Sequence, residues 1–138
     1  MPAVYEHPHT VAAAEIDALG HASNLAYVAW MQDAAIAHSA AQGWPSEAYR
    51  QLGQGWVVRS HEITYLRPAF AEEQIVVRTW VATLRKASSL RRYEIVHSAD
   101  GKTLATAATD WAFVTYASGL PARIPPKVSQ AFILVPDR

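Results

Sequence analysis

A chain of 138 residues, 51% apolar and 17% charged, carries enough apolar side chains for one packed core and is too short for two, so residues 1–138 are read as a single domain. Its twelve basic and twelve acidic side chains cancel, which removes the long-range field of a nucleic-acid or anionic-membrane binder and leaves any anionic ligand to a local cluster. The sequence has no cysteine, hence no disulfide framework and no thiolate chemistry.

The opening residues, Met1-Pro2-Ala3-Val4-Tyr5-Glu6-His7-Pro8, lack the basic patch and apolar run of a secretory leader. No segment approaches the roughly 20 apolar residues that span a bilayer, so a cytoplasmic location and no membrane partner are expected. An extended segment runs from Tyr5 to Ala14. His7 and His9 share one of its faces, but two histidines without a third ligand do not make a metal site, and no metal is expected. A turn at Ala18-Leu19-Gly20-His21 leads into a long helix, predicted from about Asn24 to Gln42 and stopped before Gly43 and Pro45. Ser23 or Asn24 can cap it. Leu25, Val28, Met31, Ala35 and Ile36 recur near helical spacing, and six alanines keep the rest slim, so the helix can lie close against a sheet.

A loop from Pro45 to Gly55 follows, and the remainder is rich in Val, Ile, Thr, Tyr and Trp. Strands are predicted near Trp56 to Leu66, Gln74 to Leu84, Ser88 to Ser98 and Thr103 to Tyr116. Asp100-Gly101 suits a two-residue type I′ turn, which makes the last two strands antiparallel neighbours. Prolines 121, 125 and 126 break the tail before a short apolar segment, Ala131 to Val135. These elements predict an α+β fold in which the one long helix covers the apolar face of an antiparallel sheet of about five strands.

The segment Glu15-Ile16-Asp17-Ala18-Leu19-Gly20-His21-Ala22-Ser23-Asn24-Leu25-Ala26-Tyr27 lies where strand gives way to helix. Gly20 lets the backbone turn tightly, and the residues after it deliver free N–H groups at the positive end of the helix dipole. Thioester cleavage needs a base or nucleophile on one side and donors aimed at the developing oxyanion on the other, and Asp17 and the helix start supply both. A second cluster, Arg85, Lys86, Arg91 and Arg92, gathers four of the twelve basic residues with no acid among them. Strand alternation points Arg91 and Arg92 to opposite faces, so at most one of them can join Arg85 and Lys86.

The Glu15–Tyr27 segment resembles the signature of hotdog-fold acyl-CoA thioesterases of the 4-hydroxybenzoyl-CoA type, Asp-x-Asp-x-x-Gly-His-x-x-Asn-x-x-Tyr. Asp17, Gly20, His21, Asn24 and Tyr27 match; Glu15 replaces the first Asp, which leaves the Asp17 position intact and changes how the turn is hydrogen-bonded. The likeness continues through Val57-Val58-Arg59-Ser60, Tyr65-Leu66-Arg67-Pro68-Ala69, Arg85-Lys86-Ala87-Ser88 and Trp111-Ala112-Phe113-Val114, nearly the whole chain in order. The resemblance implies a hotdog fold, one long central helix wrapped by the sheet, and hydrolysis of an aromatic or short to medium aliphatic acyl-CoA. It implies Asp17 as the catalytic carboxylate, the Asn24 N–H as the donor that polarises the carbonyl, and His21 beside them. Gly20, Tyr27, Arg59, Arg85, Lys86, Ser88 and Arg123 are set toward substrate, with Arg85, Lys86 and Arg123 at the phosphates of CoA. No cofactor is implied, since CoA belongs to the substrate. The resemblance also implies a homodimer with sheets joined edge to edge and active sites at the subunit boundary, further paired into a tetramer.

Each residue also has a plainer use. Asp17 can cap a turn, His21 can be a structural hydrogen-bonding group, Tyr27 can be packing, and Arg85 and Lys86 can be a solvated hairpin. Two rival functions stay open: an enoyl-thioester hydratase or dehydratase using Asp17 and His21, and a noncatalytic acyl-CoA-binding protein.

Overall fold

The computed structural model describes residues 3–137; Met1, Pro2 and Arg138, which the single-domain reading includes, lie outside the described residues. Strand β1 (Tyr5–Thr10) is followed by a 3-10 turn (Ala13–Glu15), helix α1 (Asn24–Ala41), helix α2 (Ser46–Leu52), strands β2 (Gln54–Tyr65), β3 (Gln74–Leu84), β4 (Ser88–His97) and β5 (Thr103–Thr115), and helix α3 (Pro126–Ser129). The five strands form one antiparallel sheet in the order β1-β3-β4-β5-β2, with β1 and β2 at its edges. Register shifts at Val58/Ser60 in β2 and Val81/Thr83 in β3 mark bulges, which bend a strand and increase its twist.

Helix α1 is central because it is the only long one among the described residues. Its Tyr27, Trp30, Met31 and Ala34 are buried against Ile75, Val77, Tyr93, Ile95 and Ala105 of the sheet. The alanines let the helix approach closely, while the aromatic pair Tyr27 and Trp30, with ring centroids 4.8 Å apart, fills the space at its start. A second core of Tyr49, Val81, Phe113, Ile124, Val128 and Phe132 lies under α2 and the tail. No helix among the described residues is long and apolar enough to cross a membrane.

Three expectations need correction. The segment from Pro45 to Gly55 is not a plain loop: Pro45 precedes α2, Glu47 sits in its first turn, and Gly53 ends it with φ at 77°. A seven-residue helix is too short for periodicity to reveal. The connection from β4 to β5 is longer than two residues. The Gly101 N–H donates to the His97 carbonyl (2.8 Å), Gly101 alone has positive φ, and the Asp100 carboxylate accepts from the Lys102 N–H (2.9 Å), so a side chain and not a type I′ pair closes the turn. Leu25 and Ile36, read as part of the apolar repeat of α1, are 80% and 52% exposed, because Tyr27 and Trp30 take the sheet-facing positions.

Candidate active site

The loop before α1 is folded around Asp17. Ile16 and Ala22 form an antiparallel bridge. The Asp17 N–H donates to the His21 carbonyl (3.0 Å) and the Ser23 N–H to the Glu15 carbonyl (2.9 Å), so residues 15–23 close on themselves. Gly20 turns the corner with φ at 89°, a left-handed conformation that a side chain would strain. Asp17 Oδ1 accepts from the Leu19 N–H at 2.9 Å, which fixes one carboxylate oxygen. Ser23 caps α1, its Oγ accepting from the Ala26 N–H (3.3 Å). Asn24 is therefore the first helical residue, and its N–H has no partner within the helix. The half-buried ring of His21 places Nδ1 3.4 Å from its neighbour's carbonyl at Ala22.

Glu15 supplies what an Asp at its position would be too short to reach. Its Oε1 accepts from the Ala12 N–H (2.8 Å) and lies 2.8 Å from His9 Nε2, while Oε2 accepts from Trp30 Nε1–H (2.7 Å). One carboxylate thus ties β1, the 3-10 turn and α1 together. Burial pushes its pKa up, but the bonds from Ala12, His9 and Trp30 outweigh burial and hold it below the ordinary range. His9 spends its ring nitrogen in this network. Tyr27 is buried, and its hydroxyl donates to the Arg67 carbonyl (3.3 Å), locking the helix start to the 67–69 turn.

A cavity of about 440 Å³ opens between the second half of α1, α2 and the β2 end of the sheet. Trp44, Trp56, Trp111, Tyr49 and Phe132 give it aromatic walls, and Arg91 is its one charged lining residue. Along α1 it begins at Gln32, about 12 Å from Asn24 at roughly 1.5 Å per residue. Neither Asp17 nor Asn24 of the same chain lines it. Arg91 donates from Nη1 to His38 Nδ1 (2.9 Å) and Thr79 Oγ1 (3.1 Å). Burial, and then the charge of Arg91, push the His38 pKa down to about 4.

Folded His38 stays neutral between its ordinary value of 6.5 and about 4, whereas the unfolded chain takes up a proton there. Its contribution is complete above pH 6.5 and falls as the pH drops toward 4, by on the order of 3 kcal/mol at about 1.4 kcal/mol per unit. Urea midpoints across this window are expected to fall less steeply for His38→Gln, whose amide oxygen can still accept from Arg91, than for wild type.

The basic cluster divides in three. The Ile124 N–H donates to the Lys86 carbonyl (2.8 Å), which brings the exposed Arg123 alongside the exposed Arg85-Lys86 turn, next to Leu84 and Ser89 of the cavity wall. The Ser88 carbonyl accepts from the Arg85 N–H (2.8 Å) and closes that turn. Arg92 makes a bidentate pair with Asp137 at 2.7 Å, and Arg91 goes inside. Arg59 lies apart at the bulge of β2, paired with Asp110 at 2.7 Å. Ser39, Tyr49, Trp56 and Arg91 are cavity residues the motif did not indicate; only the place of Arg91 in the alternation Ser89-Arg91-Tyr93-Ile95, otherwise core-facing, could have signalled one of them.

Residues 11–132 match the family described as the thioesterase-like superfamily. The chain belongs to that superfamily. Solved structures give this thioesterase-like chain its hotdog fold. A 1,4-dihydroxy-2-naphthoyl-CoA thioesterase from Synechocystis superposes with a TM-score of 0.86 at 16% identity, covering 93% of this chain and 94% of that one. A hypothetical protein from Thermus thermophilus gives 0.86 at 25% identity over 93% and 96%. A hypothetical protein from Staphylococcus aureus, solved in complex with CoA, gives 0.86 at 15% identity over 93% and 80%. No curated protein matches the chain by sequence. Two smaller helices accompany the long one of the thioesterase-like fold, and α2 forms part of its cavity wall.

Proposed function

We propose that the protein hydrolyses the thioester of an acyl-CoA, releasing a carboxylic acid and CoA. The observation that carries this reading is the closed loop of residues 15–23, which holds the Asp17 carboxylate within seven residues of the free N–H at the start of α1, in a chain of the thioesterase-like superfamily. Asp17 acts as the nucleophile or as the general base for water. The carbonyl oxygen takes up negative charge as the tetrahedral intermediate forms, and the Asn24 N–H, at the positive end of the helix, stabilises it. The thiolate of CoA then leaves; where Asp17 is the nucleophile, water hydrolyses the resulting mixed anhydride, which releases the acid and restores the carboxylate. Arg85, Lys86 and Arg123 meet the phosphates and Ser88 flanks them, while Arg59 is set toward the substrate from the bulge of β2. Gly20 shapes the loop, His21 orders it, and Tyr27 fixes the helix beneath it. The reaction needs no cofactor or metal, because CoA arrives with the acyl group.

A homodimer completes this site. Asp17 and the cavity lie toward opposite ends of α1, and a two-fold axis across the helices sets the start of one beside the end of the other. The exposed Leu25 and Ile36 on α1 and Val57 on edge strand β2 are the apolar surface such a pairing covers. The active site then forms at the boundary, Asp17 from one protomer facing the cavity of its partner, with a tetramer as the next level of assembly and no nucleic acid or membrane as partner. A cytoplasmic location belongs to the same proposal, and the neutral balance of charge fits it.

Product analysis tests the reaction class. Incubation with crotonyl-CoA and benzoyl-CoA is expected to release free thiol from at least one of them. Loss of the enoyl absorbance with the thioester intact would instead identify a hydratase, and tight binding without change in either ester would identify a noncatalytic binder.

A further inference from the structure

This inference rests on the thioesterase reading and concerns which acyl group the cavity selects. Arg91 is 6% exposed, yet none of the ion pairs among the described residues includes it. Both protein bonds of its guanidinium use Nη1; Nη2 and Nε have no protein acceptor among the described residues. A guanidinium only donates and keeps its proton in folded proteins, so His38 Nδ1 is the acceptor and its ring is neutral. His38 and Thr79 therefore aim the group without balancing its charge. A buried charge lacking a counter-charge is costly, and no acidic residue of the same chain lines the cavity to supply one.

Three of the other polar groups of the wall, Ser39, Tyr49 and Trp56, are committed to one another. The hydroxyl of Ser39 donates to the Trp44 carbonyl (2.7 Å), so it accepts from the Tyr49 hydroxyl (2.9 Å), which in turn accepts from Trp56 Nε1–H (3.1 Å). This directed chain fixes α1, α2 and β2 relative to one another and leaves none of these three donors for a ligand. Beside the neutral Trp111 Nε1–H, which has no partner among the described residues, Arg91 is the charged donor of the wall with N–H groups to spare.

We propose that Arg91 binds a carboxylate at the far end of the acyl group, so that the preferred substrates are CoA monothioesters of dicarboxylic acids. The aromatic walls take the apolar middle of the acyl group, and its distal carboxylate makes a forked pair with the free edge of the guanidinium. A neutral hydroxyl or methyl at that end would leave the charge unbalanced and would be discriminated against.

The test compares thiol release from adipoyl-CoA with hexanoyl-CoA, and from terephthaloyl-CoA with 4-methylbenzoyl-CoA. Wild type is expected to favour the carboxylated member of at least one pair by at least about tenfold in kcat/KM. Arg91→Met is expected to reverse that order, and Arg91→Lys to retain part of it. A second measurement needs no turnover: monomethyl adipate is expected to raise the melting temperature of wild type and of an Arg85→Ala, Lys86→Ala double variant, while neutral dimethyl adipate does not. The wild-type comparisons carry the test even if Arg91→Met fails to fold. Preference for the uncarboxylated member of both pairs, or equal melting shifts with the two adipates, overturns the proposal. Selective stabilisation by the monoanion without thiol release from any ester would sink the thioesterase reading and leave the carboxylate site standing.

Discussion

Asp17→Asn is expected to lower kcat for thiol release by about 10²- to 10⁴-fold, the usual worth of a positioned general base or nucleophile, with little change in KM. The loss belongs to chemistry and not to folding, because Asn presents the same side-chain oxygen to the Leu19 N–H that Asp17 Oδ1 accepts at 2.9 Å. The Asx turn, the Ile16–Ala22 bridge and the Ser23 cap survive the exchange, so stability should stay within about 0.5 kcal/mol of wild type, as for surface substitutions in general. Asp17→Ala would lose the turn bond as well and confound the two effects. Equal rates for Asp17→Asn and wild type would remove this carboxylate from the mechanism. Substitution of Asn24, by contrast, leaves its backbone N–H in place and is expected to cost far less than the 3 to 4 kcal/mol or so that loss of an oxyanion donor can cost.

The largest effect on stability is expected at Trp30. Its ring is 1% exposed, packs on Tyr27 at 4.8 Å and His9 at 5.4 Å, and its Nε1–H donates to Glu15 Oε2 at 2.7 Å. Trp30→Ala removes that volume from beneath the sheet, at a cost of about 3 to 5 kcal/mol. For a chain of this length each kcal/mol moves the melting temperature by roughly 4 °C, so a fall of about 12 to 20 °C is expected by calorimetry. Trp30→Phe should cost less, since it retains most of the packing and loses mainly the donor to Glu15. A shift below about 4 °C for Trp30→Ala would contradict the central place given to this ring.

The same residue explains why part of the site was legible and part was not. Asp17, Gly20 and the helix start could be read because their roles are local: a carboxylate, a left-handed corner and a cap lie within one short segment, and short-range geometry follows from short-range sequence. Strand β3 was read with its bounds at Gln74 and Leu84, and β2, β4, β5 and α1 to within two residues at either end, because alternation and helical spacing are local as well. Tyr27 could be weighed as packing or pocket, but only tertiary structure places its hydroxyl on the Arg67 carbonyl, forty residues away. Glu15 was recognised as a departure from the signature, while its partners His9 and Trp30 come from a strand and a helix whose meeting no spacing encodes.

The cavity was the least legible element. It is made by α2, which seven residues hid inside an expected loop, and by the second half of α1, where Gln32 and Ser39 follow no motif. The basic cluster was seen as a group, but the sheet sorts it: Arg85 and Lys86 stay on the turn, Arg92 faces outward to Asp137, and Arg91 takes the inward position between Ser89 and Tyr93. Alternation predicted that Arg91 and Arg92 would part. Its continuation through the apolar Tyr93 and Ile95 marks Arg91 as the inward one, and in the sheet Arg91 lies opposite Val81 of β3 and Thr109 of β5.

A carboxylate at one end of α1 and an acyl cavity toward the other can serve one reaction only if two protomers share each site, and a mixed-subunit experiment tests this most directly. Asp17→Asn removes the carboxylate, and Leu84→Trp fills the cavity wall. Each variant alone should be folded and inactive. Co-expressed with separate affinity tags, the isolated mixture is expected to recover about one quarter of wild-type activity, since half the dimers formed at random are mixed and each of those holds one intact site of two. No recovery in a mixture that demonstrably contains both chains in one dimer would contradict a site built across the boundary.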